Sequence, residues 1–169
     1  TEARGRGRTW KPPRGSTLPP PRYARSMEAD GLFVYGTLRE GGRFRAWLER
    51  THPEGTTAAW MPGRLFHLPG EGFPAAVAGP EPEGNPPGPG WILGEFVGYE
   101  DEADLTRALE DLDALEEVAE GLFVRRVVPV RLEGHLRYGA WAWLFPEDRL
   151  PRLEREAIEV PDGDGSAYF

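Results

Sequence analysis

Glu116 is the side chain whose placement most asks for chemistry. Residues 101–117, DEADLTRALEDLDALEE, carry Leu105, Ala108, Leu109, Leu112 and Leu115 at the i, i+3, i+4, i+7 spacing of a helix with one apolar face. Asp101 is placed to cap its N-terminus, and acids crowd the first turn, where the helix dipole favours them. At ~100° per residue with Leu105 at zero, Leu109 falls at roughly 40°, Leu112 at roughly 340° and Glu116 at roughly 20°. Glu110, Asp113 and Glu117 point sideways or outward. One carboxylate is therefore aimed at the core. Burying it ionised and unpartnered costs several kcal/mol, so Glu116 needs a partner, a cavity or a task. A carboxylate in an apolar recess has a raised pKa, which suits a general base near neutral pH. Two other readings stay open on the residues alone: a helix that frays before Glu116 and releases it to water, or a structural salt bridge to Arg125 or Arg126.

The second candidate is Tyr35-Gly36-Thr37-Leu38, directly after the apolar run Leu32–Val34. A glycine at a strand end lets backbone approach a ligand closely, and consecutive turn amides can converge on a carboxylate or an oxyanion. An ordinary tight turn is the alternative. Other chemistries lack their parts. There is no Cys, which removes disulfides, thiolate metal sites and thiol nucleophiles. Ser occurs only at 16, 26 and 166, and no GxSxG is present. His52, His67 and His135 have no metal-ligand spacing, so no metal is expected. No phosphate-binding GxxxxGK occurs, and Lys11 is the only Lys.

The elements that must position these residues follow from pattern and punctuation. Leu32–Tyr35 reads as a buried strand, Phe44–Arg50 as a short helix, and Trp60–Leu68, Trp91–Tyr99, Phe123–Leu132 and Ala140–Phe145 as strands. Residues 69–90, rich in Gly and Pro, read as a long loop around the apolar piece Ala75–Ala78. Gly134 and Gly139 mark turns, and the chain from Leu150 reads as surface loop. Strands without regular βαβ alternation favour an α+β fold with a mostly antiparallel, barrel-like sheet.

Charge divides the chain. Residues 1–26 hold seven basic side chains and one acid; the rest holds 13 basic and 27 acidic ones, a net of −14. Residues 1–27 are therefore expected to be a disordered Arg- and Pro-rich tail, with 28–169 the folded domain. Met27 opens the first patterned segment, and translation is expected to start there. An acidic body repels phosphate backbones, so nucleic acid is not an expected partner of the domain. Trp60, Trp91, Trp141 and Trp143 lie on strands and read as core or cavity wall. No apolar run approaches the ~20 residues of a membrane-spanning helix, and no secretory h-region is seen. Together with the lack of Cys, this leads to a cytoplasmic expectation.

Taken together, LFVYGTLREG (32–41) and LDALEEV (112–118) resemble the two motifs of the gamma-glutamyl cyclotransferase-like superfamily. GRLFHLPGEGFPAAV (63–77), ILGEFVGY (92–99) and GLFVRRVVPV (121–130) resemble its intervening and following strands, so the likeness runs from about Leu32 to Phe145. The resemblance implies a small mixed, mostly antiparallel β-barrel with flanking helices and a cavity at one end. It places the catalytic Glu at Glu116 and the substrate-holding loop at Tyr35, Gly36, Thr37 and Leu38. It also implies cofactor-free cyclisation of a small gamma-glutamyl amide, releasing 5-oxoproline and an amine or amino acid. Phe123 stands at a substrate-side position where the family often has Tyr, and Glu117 where many members have Gly. A non-catalytic module binding an amino-acid-like ligand is the alternative.

Overall fold

The computed structural model describes residues 29–165 except 37, 43, 44, 71 and 72. The expected basic tail and the expected start at Met27 lie outside the described residues. Among the described residues seven strands and three α-helices follow in order: β1 (Ala29–Val34), α1 (Arg45–Glu49), β2 (Gly55–Leu68), β3 (Phe73–Ala78), β4 (Trp91–Gly98), α2 (Glu102–Leu115), β5 (Val124–Leu132), β6 (Arg137–Leu144), α3 (Leu150–Glu156) and β7 (Ile158–Val160).

Five strands close on themselves in the order β2-β4-β1-β6-β5, and β5 returns to β2 through Ala59↔Leu132 and Trp60↔Arg131. Among the described residues only β1 and β6 run parallel, in register at Leu32↔Trp141; every other pairing is antiparallel. The fold is thus an α+β mixed, mostly antiparallel barrel with flanking helices. The far half of β2 leaves the barrel and carries β3 on one side and β7 on the other.

Side-chain alternation sorts the apolar residues into two cores. Phe33, Met61, Ile92, Phe96, Val128, Val130 and Ala140 share one parity on their strands and fill the barrel. Leu32, Val34, Val97 and Trp143 have the other parity and pack with Leu48, Leu105, Ala108, Leu112 and Leu153 of the helices. A strand buried on both faces explains the unbroken run LFVY.

Four expectations change. β2 begins at Gly55 rather than Trp60, because Thr56–Ala59 gain a full ladder on β4 despite their weak pattern. Within the expected loop, Phe73–Ala78 pairs along β2 as a strand. Gly139 lies inside β6, paired with Pro129, whereas Gly134 does turn, at φ 78°. The segment from Leu150 forms α3 and then β7, whose three residues find hydrogen-bond partners at Leu65–His67. Among the described residues no helix is long and apolar enough to cross a membrane.

Candidate active site

Helix α2 is built to end sharply at Glu116. Asp101 caps its start, accepting the Ala103 amide at 2.7 Å. At the other end Glu116 leaves helical geometry (φ −88°, ψ 5°) and Glu117 turns left-handed at φ 53°. The Val118 amide donates to the Asp113 carbonyl at 3.0 Å and the Glu117 amide to the Ala114 carbonyl at 3.2 Å. These are the two bonds of a Schellman closure, whose left-handed position usually holds glycine. Here it holds Glu117.

The helix therefore stops before Glu116, yet the carboxylate is not released to water. Burial pushes its pKa up to about 7, and the neighbouring Glu117 charge adds to the effect. Neither arginine weighed as a bridge engages it. Arg125 Nε lies 3.2 Å from Asp113 and its guanidinium sits 4.7 Å over Trp141, while Arg126 pairs with Glu147 at 3.5 Å. Among the described residues no cation lies within 4.0 Å of Glu116.

Tyr35, at the end of β1, is buried and is the neighbour that feels this charge. Its phenol is held protonated far above the usual range, first by burial and then by the Glu116 carboxylate, with the Ala76 amide opposing. Its hydroxyl donates to the Trp143 carbonyl. On its open side, Tyr35 lines a hollow of about 130 Å³ together with Gly36, Arg39, Glu40, Gly41, Gly42 and Gly165. That is the space of about four waters. Gly36 is required by close packing: a Cβ there would stand 2.4 Å from the Pro74 ring of β3.

The loop is braced from β4. Glu95 accepts the Glu40 amide at 2.8 Å and Arg45 at 3.3 Å, and Arg45 reaches Thr56 at 2.8 Å. The far wall comes from the last turn of the described chain. Gly163, at φ 70°, sits so close to β4 that a Cβ would stand 1.9 Å from the Trp91 carbonyl oxygen. Its own carbonyl accepts the Leu93 amide at 2.9 Å, and Asp164 pairs with Arg39 at 3.6 Å.

The structure thus brings Tyr35 and Gly36 to the hollow; Glu116 is not among the residues that line it, and its charge reaches the site through Tyr35. Thr37 lies outside the described residues. Leu38 is buried between barrel and helices, and Phe123 is buried edge-on to Phe145 with ring centroids 6.1 Å apart; neither side chain lines the hollow. Asp113 keeps the sideways position its helix angle predicts, and there it accepts the Trp143 Nε1 donor at 2.9 Å. Sequence reasoning also missed Glu95, although a lone acid inside WILGEFVG is a readable signal. Among the described residues no three His, Asp or Glu side chains converge as metal ligands do.

A small five-stranded mixed barrel, with a desolvated acid at the end of the helix that precedes β5, is the class that fold and site define. The family model described as "Gamma-glutamyl cyclotransferase, AIG2-like" matches residues 32–164, and the chain belongs to that family. Among solved structures it is similar to the S177A allophanate hydrolase of Kluyveromyces lactis, at 15% identity and a TM-score of 0.51, covering 80% of this chain and 20% of that one. It is similar to YkqA of Bacillus subtilis (22% identity, TM-score 0.48), covering 81% of this chain but only 39% of that one. The AIG2-like protein of Mus musculus is 17% identical with a TM-score of 0.49, covering 73% of this chain and 84% of that one. Likeness at these identities concerns the fold. No curated protein matches the chain.

Proposed function

We propose that the protein is a gamma-glutamyl cyclotransferase in which Glu116 is the general base and acid. The observation that carries this reading is a carboxylate pushed up to about 7, beside Tyr35 and without a cation partner among the described residues. An acid so placed is ionised in useful amount at neutral pH and still basic enough to take a proton from an amine.

In this reading the gamma-glutamyl head enters the hollow beside Gly36. Its α-ammonium gives up one proton to solvent to become the nucleophilic amine. As the amine nitrogen attacks the γ-carbonyl carbon, Glu116 accepts its second proton. The C–N bond to the leaving amine then breaks, and Glu116 returns the proton to that nitrogen. The products are 5-oxoproline and a free amine or amino acid, and the balance needs no cofactor. Because nucleophile and electrophile belong to one molecule, holding the chain bent supplies much of the rate. The amides of Arg39, Glu40 and Gly42 are already engaged by Gly36, Glu95 and Arg39. Those of Gly36 and Leu38 are proposed to hold the substrate carboxylate or the developing oxyanion.

The test is incubation with a panel of gamma-glutamyl amines and dipeptides, scoring 5-oxoproline by mass spectrometry. Release by the wild type and none by a folded Glu116→Gln variant is expected. Equal turnover by both would refute the assignment of Glu116. No release from any member would leave the same hollow as a binding site for an amino-acid-like ligand.

A further inference from the structure

We propose that Asp113 is the positioning residue for Glu116, tying the end of α2 to Trp143, the same residue that holds the Tyr35 hydroxyl. The inference rests on the function proposed for Glu116. Asp113 lies three residues before Glu116, on the adjoining strip of the helix surface. A single oxygen of its carboxylate accepts the Trp143 indole at 2.9 Å and forms an ion pair with Arg125 Nε at 3.2 Å. Arg125 and Trp143 are direct partners across β5 and β6, so both contacts rise from one point on the barrel wall. The Asp113 carbonyl accepts the Val118 amide and so closes the turn around Glu116. Side chain and backbone of one residue thus pin the end of α2 to the sheet and shape its exit.

Trp143 also holds the other half of the site. The parallel ladder between β1 and β6 ends at Leu32↔Trp141, and three residues further on Tyr35 donates its hydroxyl to the Trp143 carbonyl. The residue that fixes the substrate-side phenol through its backbone fixes the Glu116 helix through its ring. A charge-assisted contact of this kind, aimed by two rigid strands, is suited to setting a distance rather than to adding stability. The charge that bears on Glu116 is that of Glu117 on α2; Tyr35 from β1 feels the Glu116 carboxylate as a neutral phenol, and Asp113 and Arg125 face one another one turn back.

Three variants separate positioning from structure. Asp113→Ala removes both contacts, Asp113→Asn keeps an acceptor for the indole but not the ion pair, and Trp143→Phe removes the indole donor while keeping the Tyr35–carbonyl bond. Two readouts are taken on full-length protein whose fold is checked by near-UV circular dichroism. The first is the pH titration of the Glu116 carboxyl carbon in 13C-glutamate-labelled protein, with Glu116→Gln supplying the assignment. The second is kcat and KM on the best substrate of the panel. Asp113→Ala is expected to move the Glu116 titration downward toward an ordinary glutamate and to lower kcat about 100-fold at little-changed KM, as for a misplaced catalytic group. Trp143→Phe should follow it in direction, and Asp113→Asn should recover most of the loss. A folded Asp113→Ala protein with an unmoved Glu116 titration overturns the proposal. So does a loss confined to KM. Should the wild type cyclise nothing, the proposed function fails, and the titration arm still decides whether Asp113 positions Glu116.

Discussion

At Glu116, desolvation outweighs the neighbouring charge. The Glu117 carboxylate is exposed and screened, whereas the packing around Glu116 removes water from the group itself. If the base must be ionised and the substrate amine free, kcat/KM should rise with pH and rise less steeply above the Glu116 pKa of about 7, levelling off only once the substrate amine is deprotonated. A pH–rate profile on the best substrate checks this; a rate flat from pH 5 to 8 would exclude Glu116 as the base. The same shift has a thermodynamic sign. The folded pKa lies above the ordinary value of 4.5, so the folded state holds the proton more tightly. Stability is then fully present below about 4.5 and falls as pH rises through about 7. Glu116→Gln is expected to be more stable than the wild type above pH 7 by roughly 2 kcal/mol, the full shift being discounted for partial exposure, and nearly equal near pH 4. Urea unfolding at both pH values measures the difference.

At the scale of the element, the end of α2 carries strain next to the acid. A non-glycine residue at the left-handed position of a helix closure costs about 1 kcal/mol. Glu117 bears that cost at φ 53°, beside Glu116. Glu117→Gly should raise stability by about 1 kcal/mol. It should also lower the pH midpoint of activity, because a like charge beside Glu116 is removed. Thermal unfolding and the pH–rate profile check the two halves independently, and the profile of Glu117→Gly should respond less to added salt. The loop after β1 illustrates the opposite case. Gly36 is dictated by a ring from another strand, since Pro74 occupies the space a Cβ would need. Nothing in YGTL announces that neighbour.

At the scale of the molecule, the barrel is closed over its end by a charged clasp. Arg131, buried on β5, donates to Glu81 at 2.6 and 3.1 Å and to Asn85 at 2.8 Å, and its guanidinium lies 5.2 Å over Trp91. Arg137 of β6 holds the other Glu81 oxygen at 2.8 Å. The clasp ties the segment between β3 and β4 across the point where β5 returns to β2. These two arginines hold the Glu81 carboxyl below the usual range, although burial opposes them. Its contribution is therefore present above the ordinary glutamate pKa and is lost as pH falls through the lowered one. Glu81→Ala should destabilise by about 3 kcal/mol at pH 7, because Arg131 is left buried without its partner. The deficit should shrink in acid, and unfolding at pH 7 and pH 3 compares the two.

The fold was legible wherever a residue's role depends on its near neighbours in the chain. The α2 stripe, the strands around 32–35, 91–99 and 123–132, and the inward angle of Glu116 all follow from local periodicity. Strand partners that lie far away were not legible. Ala75–Ala78 and Ile158–Val160 are too short to declare themselves and become strands because β2 offers them open hydrogen-bonding edges. The first half of β2 likewise exists because β4 lies beside it. The sequence by itself determined that an acid sits on the apolar side of a helix and that a glycine turn follows the first strand. Only the tertiary structure decided that Arg125 goes to Asp113 rather than to Glu116, that Trp143 joins Asp113 to Tyr35, and that Pro74 forbids a side chain at Gly36. Helical angle is a property of a few consecutive residues, whereas these partnerships join groups 12 to 108 residues apart and exist only once the barrel has closed.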